Sequence, residues 1–286
     1  MIGIFAILSS SLNLLMGHTG ILSIAQAAFY GIGAYVSALL TTHLGWPFPL
    51  GLASSIVITA FASLIVSIPS IRLKGDFFVM ATFAFQMVAF SIFNNWIDLT
   101  GGPLGIYGIP PPKVGSWKLD TPFQFAILTT LLAWVVHMLA QRIVTSPFGR
   151  VLHGIREDES FVASIGKNVI AFKITIFAVS AAEAGLAGSL FAHYITYIDP
   201  KSFTMMDSVL VISMVIIGGA GNPSGSLLGA LLLVVLPEAL RFLGMSGSYA
   251  SNVQEIIYGT LLVLLMMFRP RGMLGRFSFE GQTWKH

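Results

Sequence analysis

Residues 1–71 contain no Lys, Arg, Asp or Glu. A stretch of that length cannot form the surface of a water-soluble domain. It also far exceeds the apolar core of a secretory signal, about 7–15 residues. The remainder of the chain continues the pattern: of 286 residues only 9% are charged and 55% are hydrophobic, whereas a soluble domain carries about 25% charged residues. This composition excludes a soluble globular enzyme, a disordered chain and a nucleic-acid-binding protein. It predicts an all-α, polytopic transmembrane helical protein embedded in a lipid bilayer. With no cysteine, disulfides, thiol catalysis and Cys-ligated metals are also excluded.

A crossing needs about 20 apolar residues. Nine apolar runs stand between punctuating residues: Ile2–Met16, Ile24–Leu44, Pro49–Ile68, Phe77–Ile97, Pro122–Arg142, Ala171–Tyr194, Met205–Ile217, Leu227–Phe242 and Val253–Phe268. The first, seventh and eighth are short for a full crossing, and each borders a Gly-rich break. Taking each run as one crossing places Arg72, Lys74, Arg142, Arg150, Arg156, Lys167, Lys173, Arg269, Arg271, Arg276 and Lys285 on one side. Only Lys113, Lys118, Lys201 and Arg241 fall on the other. The positive-inside rule then makes the first side, and the C-terminus, cytoplasmic. The expected organisation is helices one to five over 1–142, a cytoplasmic segment over 143–170, helices six to nine over 171–268 and a cytoplasmic tail over 269–286.

Gly17-His18-Thr19-Gly20 interrupts the first two runs, and Gly218-Gly219-Ala220-Gly221-Asn222-Pro223-Ser224-Gly225 the seventh and eighth. Both breaks follow a helix of one direction and precede a small-residue helix of the other. That suggests discontinuous helices and a parallel internal repeat. Non-helical backbone at membrane depth must be buried in protein or line a wet cavity, and transporters use such breaks in their pathways. A tight interhelical turn with close-packing glycines explains the same residues. Both readings stand. Between runs five and six, Glu157, Asp158 and Glu159 sit where a helix N-terminus favours carboxylates. Phe161, Val162 and Ile165 form an apolar stripe, and Gly166 and Asn168 are helix-stop residues. A short amphipathic helix that docks in a partner's groove and a solvated anchoring loop are both compatible with this segment.

The latter segment resembles the cytoplasmic coupling loop of ABC-importer permeases, with Glu159, Ala163 and Gly166 matching its glutamate, alanine and glycine. Gly17-His18-Thr19-Gly20-Ile21-Leu22-Ser23 and Gln26-Ala27-Ala28-Phe29-Tyr30-Gly31-Ile32-Gly33-Ala34-Tyr35 resemble the first signature of LivM-type branched-chain amino acid permeases. Arg72-Leu73-Lys74-Gly75-Asp76-Phe77-Phe78, Thr100-Gly101-Gly102, Gly149-Arg150, Ala184-Gly185-Leu186-Ala187-Gly188, Gly218-Gly219-Ala220-Gly221 and Arg269-Pro270-Arg271-Gly272-Met273-Leu274-Gly275 follow in the family's order. The resemblance covers almost the whole chain. The sequence departs from the pattern in three places: the family usually has one further helix before the run that starts at Ile2, so either the true start lies upstream or this member is shortened; Glu183 replaces a small or apolar residue; and Gln26 stands where His is frequent.

The resemblance implies a permease subunit of an ATP-driven importer for branched-chain or other small amino acids, in a bacterial or archaeal plasma (inner) membrane. Its implied partners are a LivH-type permease, two cytoplasmic ATPase subunits and an external substrate-binding protein. ATP and Mg would belong to the ATPases. This chain would bind no cofactor or metal, and it has no G-x-x-x-x-G-K-[ST] sequence. Gly149, Arg150, Arg156, Glu157, Asp158, Glu159, Ala163 and Gly166 become the expected coupling residues. Ser23, Gln26, Phe29, Tyr30, Glu183, Gly218, Gly219 and Gly221 become the expected pathway residues. The loops Asp98–Thr121 and Asp199–Asp207 are positioned to meet the binding protein. Glu183, an ionisable residue within a span, fits either a substrate or ion contact or a helix-packing role. Permeation of urea or small amides, and ion-coupled secondary transport, are the alternative functions.

Overall fold

The computed structural model describes residues 1–70, 73, 75–114, 117–118, 121–242, 259–260, 263 and 272–274. Its helices, in chain order, are α1 (Ile2–Thr19), α2 (Gln26–Thr42), α3 (Phe48–Ser70), α4 (Asp76–Asn95), α5 (Ile97–Thr100), α6 (Pro122–Thr145), α7 (Pro147–Glu157), α8 (Glu159–Ser164), α9 (Val169–Ile195), α10 (Met205–Gly218) and α11 (Pro223–Phe242). Among the described residues six helical stretches are long and apolar enough to cross a membrane: Ile2–Thr19, Phe48–Pro69, Asp76–Asn95, Pro122–Thr145, Val169–Ile195 and Pro200–Gly218. The chain is an all-α, multi-pass membrane protein. Most of the ninth run, Arg72, Lys74 and the basic residues of the tail lie outside the described residues.

The bundle is organised around α1 and α9. The span of α1 is 83% buried, against 28% for those of α4 and α6. α9 packs on α1, α2 and α3, while α3, α4 and α6 turn Phe61, Ile65, Phe77, Phe123 and Leu131 outward. Apolar side chains directed away from the protein are what a bilayer requires of peripheral helices. We call the end carrying α7 and α8 the basic end, and the opposite end the far end.

Run lengths differ from the sequence expectation. The first run is extended to 18 residues because Gly17, His18 and Thr19 complete the last turn of α1. The Thr19 hydroxyl donates back to the Leu15 carbonyl, and Gly20 closes the helix in the left-handed conformation at φ +72°. The second run is instead the truncated one. Residues 20–25 are not helical, and α2 begins only at Gln26, whose Nε2 donates to Ser11 Oγ in the middle of α1. The chain thus climbs in non-helical form from the end of α1 to the level of Ser11 before turning helical.

α10 is likewise short. Residues 200–203 form a 3-10 turn that leads inward from the far end, so Phe203 is fully buried. Tyr30, Tyr35, Phe93 and Phe191 surround its ring, with centroids 5.3–6.2 Å away. Within the expected loop Asp199–Asp207, Lys201 is exposed while Pro200 and Phe203 are buried.

At the far end, strand β1 (Ile106–Tyr107) pairs antiparallel with β4 (Tyr197–Ile198), and β2 (Lys113–Val114) with β3 (Trp117–Lys118). The first ladder joins the Asp98–Thr121 loop to the two residues that lead into the Asp199–Asp207 loop.

Candidate functional site

Three non-helical or charged segments converge at the basic end. α7 is capped by Ser146, whose side chain accepts from the Gly149 N–H, and Pro147 suits the first helical position. Leu152 and Ile155 are buried, and Phe148 stacks on Phe172 of α9 at 5.0 Å. Gly149 approaches the last carbonyls of α6 so closely that any side chain there would meet Val144 and Ile143.

The expected short amphipathic helix forms as α8, and a second helix, α7, precedes it. Asp158 separates the two, and its Oδ1 accepts from Ser160 and Phe161 N–H groups at 2.9 and 3.0 Å, capping α8. Glu157 therefore ends α7 rather than starting a helix. The expected apolar stripe also divides. Val162 is buried against Ile155 and Val169, while Phe161 and Ile165 are 62% and 57% exposed. Gly166 ends α8 at φ +81°. Arg150, Glu157, Asp158, Ala163 and Gly166 are exposed beside this apolar pair.

Glu159 is not simply a surface carboxylate. Lys173 Nζ, at the start of α9, lies 2.7 Å from its Oε2. The pair braces α8 against the membrane helix. As Glu159 is 38% exposed, solvent screening limits the pair to about 1 kcal/mol or less. Glu159→Lys will lower transport, and adding Lys173→Glu will restore it, measured as substrate uptake in cells. Failure of the swapped pair to rescue would assign Glu159 to a partner contact instead of the brace.

α7 reaches the first break. Arg156 Nη1 donates to the Gly17 carbonyl, and its aliphatic part covers Gly20. Burial lowers the Arg156 pKa from the ordinary arginine value, and Glu157 opposes the shift; an arginine remains cationic throughout. His18 Nδ1 and His153 Nε2 are 3.4 Å apart, with the rings edge to face.

The first break in turn meets the second. A Cβ on Gly17 would fall on the Gly221 backbone, 2.9 Å from its Cα. Asn13 Oδ1 accepts from Gly221 N–H at 2.8 Å, and Asn13 Nδ2 donates to the Asn222 carbonyl at 2.9 Å. Gly218 lies against Gly225, and Gly219 ends α10 at φ +109°. The Met273 and Leu274 N–H groups donate to the Ile217 and Gly218 carbonyls at 2.9 and 3.0 Å. Sequence reasoning did not single out Asn13. A lone amide inside an uncharged run was its only signal.

The remaining expected pathway residues lie elsewhere, in the interior. Ser23, Gln26, Phe29 and Tyr30 are all buried. Phe29 packs on Phe85 and Phe177. The N-terminus of α2, which would offer free N–H groups to an anion, is satisfied from within the protein. Ala27 N–H donates to Ser208 Oγ at 2.9 Å, and Ala28 N–H to Gln86 Oε1 at 2.6 Å. Glu183 is buried in α9, and its Oε2 has no hydrogen-bond partner among the described residues.

Two further places have chemistry. Ser189 Oγ donates to Ser37 Oγ at 2.7 Å, and Ser37 lies 3.0 Å from His193 Nε2. His193 Nδ1 is 2.7 Å from the Pro110 carbonyl. A carbonyl only accepts, so Nδ1 carries the hydrogen and Nε2 accepts from Ser37. Both serines are fully buried, so this chain ties the far-end loop to α2 and α9 rather than addressing a substrate. A groove of about 1070 Å³ between α1, α6 and α11 is lined largely by apolar residues, with no charged side chain among the described residues. That lining suits an acyl chain and not a zwitterion. Among the described residues no three His, Asp or Glu side chains gather as metal ligands.

A buried polar axis, helices interrupted at depth and a charged unit docked on the interruption define a membrane permease. Residues 1–266 match the family described as branched-chain amino acid transport system, permease component. The chain is 33% identical to the LivM high-affinity branched-chain amino acid permeases of Escherichia coli and Salmonella typhimurium, over 95% of its own length and 68% of theirs. It is 25% identical to a probable LivM of Methanocaldococcus jannaschii, over 95% of its length and 90% of the relative's, and 27% identical to Escherichia coli LivH. No solved structure matches. The chain belongs to the family of branched-chain amino acid transport permeases.

Proposed function

We propose that the chain is a permease subunit of an ATP-driven importer for branched-chain or other small amino acids. It works with a LivH-type permease, two cytoplasmic ATPases bearing ATP and Mg, and an external binding protein. The membrane is the plasma membrane of a bacterium or archaeon, with the basic end and the C-terminus in the cytoplasm.

The observation that carries the reading is the α7–α8 unit. It is fixed to the bundle on one face and presents Phe161, Ile165 and Ala163 on the other. An apolar pair at the exposed face of a short helix fits a groove on a partner protein. ATP-driven closure of the ATPases would move this unit, and Arg156 would carry the movement to Gly17. On this reading Gly149, Arg150, Glu157, Asp158, Glu159 and Gly166 shape or flank the coupling unit, while Gly218, Gly219 and Gly221 lie at the inner end of the pathway. The β1–β4 ladder, with Tyr107 and Tyr197 stacked at 4.8 Å, offers the binding protein one joined surface.

Mild-detergent purification of the tagged chain from its native membrane tests the reading. Two ATPases and a second permease are expected to accompany it. A Phe161→Asp, Ile165→Asp variant is expected to lose the ATPases and keep the second permease, because neither side chain supports the fold. Recovery of the chain alone, reproducible after gentle crosslinking, would overturn the importer reading. It would favour ion-coupled secondary transport, for which buried Glu183 supplies the ionisable group.

A further inference from the structure

We propose that Asn13 is the positioning residue that passes movement of α7 from the first break to the second. The inference rests on the importer reading and deepens it. The contacts form one continuous series. Arg156 holds the Gly17 carbonyl. Gly17 lies on Gly221 without space for a side chain. One turn earlier, the Asn13 amide spans the backbone N–H of Gly221 and the carbonyl of Asn222 at 2.8 and 2.9 Å. Asn222 Nδ2 then donates to the Leu274 carbonyl at 2.9 Å.

The chemistry of the residue explains its place. An amide offers a donor and an acceptor on one rigid plane, so a single side chain fixes two successive backbone units of a Gly-rich turn. That turn would otherwise have broad conformational freedom. Asn13 is 1% exposed, and its two bonds are made where few waters compete. A serine hydroxyl also donates and accepts, but through one atom on a shorter stem, and an apolar side chain does neither. Without Asn13, α1 still touches the second break at Gly17 and still holds α11 through Ser9 Oγ, which donates to the Ser226 carbonyl at 3.0 Å, but the two hydrogen bonds that fix the backbone of the turn itself at Gly221–Asn222 to α1 are gone.

Coupling between sites is a free-energy difference typically worth about 5–150-fold, and a chain of contacts shows it only when perturbed. The test uses the complete complex in proteoliposomes, with substrate uptake and ATP hydrolysis measured on the same preparation. Asn13→Leu, close in volume, is expected to assemble, to hydrolyse ATP within about twofold of wild type and to lower uptake per ATP at least about fivefold. Asn13→Ser, which keeps one polar atom, gives the same reading should the leucine variant not assemble. Combining Asn13→Leu with Arg156→Gln is expected to lower uptake per ATP no further than the worse single change, as for residues acting in one series.

Unchanged uptake per ATP in both Asn13 variants, or multiplied losses in the double variant, would overturn the inference. Equal losses of hydrolysis and uptake would reduce Asn13 to a structural residue and overturn it as well. A wild-type preparation containing no ATPase would instead remove the importer reading, and that result is visible before any variant is made.

Discussion

Replacing Gly188 with valine removes most of the folded protein from the membrane. A Cβ at this position would overlap the Tyr30 carbonyl oxygen and stand 2.8 Å from the Ala34 nitrogen and 3.0 Å from the Tyr30 carbonyl carbon. All three are backbone atoms of α2, so no rotamer change relieves the clash. On the same interface Gly33 of α2 lies against the Gly185 backbone. Between membrane helices no hydrophobic force favours contact, and close backbone approach through small residues supplies the attraction. Overpacking a core costs about 1–3 kcal/mol when side chains yield, and here α2 itself must move. α2 has only 17 residues and no helical continuation toward the basic end, so α9 is one of its main supports. Size-exclusion profiles and thermal midpoints of the detergent-solubilised protein check the result. A Gly188→Val protein with wild-type profile and midpoint would show that α2 and α9 can separate at no cost.

This interface was only partly legible in the sequence. Ala184-Gly185-Leu186-Ala187-Gly188 announces a close helix contact, and the 71 uncharged residues announce the bilayer. Neither names the partner, because small residues mark an approach and not its direction. The truncation of α2 was hidden for a related reason. Ile24 and Ala25 are as apolar as any helical residue, so the run that begins at Ile24 takes in the end of a segment that is not helical. Only the polar partners reveal it. Ser11, Gln26, Thr82 and Gln86 are scattered over three helices, and their meeting depends on packing that no local pattern encodes. The α7–α8 segment was better written, since Asp158 followed by Ser160 and Phe161 carries its own cap. Yet its carboxylates announce one helix only, and the structure places a second, α7, before it. Asn13 shows the limit: its partners are more than 200 residues away in sequence, and one amide in an apolar run does not disclose them.

Gln86→Leu is expected to destabilise the protein by about 2–6 kcal/mol, since leaving one buried backbone group unsatisfied costs about 1–3 kcal/mol and two are affected. Gln86 Oε1 accepts from Ala28 N–H at 2.6 Å, and Nε2 donates to the Phe203 carbonyl at 3.0 Å. Ala28 lies in the first turn of α2, where N–H groups have no intrahelical acceptor, and Ala25 offers no side-chain cap. A residue of α4 therefore caps α2 and holds the buried 3-10 turn that introduces α10. Leucine fills a similar volume and removes both bonds, so packing loss contributes little. Ser208→Ala removes one bond, to Ala27 N–H, and should lower the thermal midpoint by less than Gln86→Leu. This ordering discriminates between two kinds of interior. In a dry junction every backbone group freed by substitution stays unpaired, and the double loss exceeds the single one. If Gln86→Leu matched wild type, water would have to reach Ala28 and Phe203 in the resting protein. The junction of α2, α4 and α10 would then belong to the translocation pathway, and Gln26 and Tyr30 would line it.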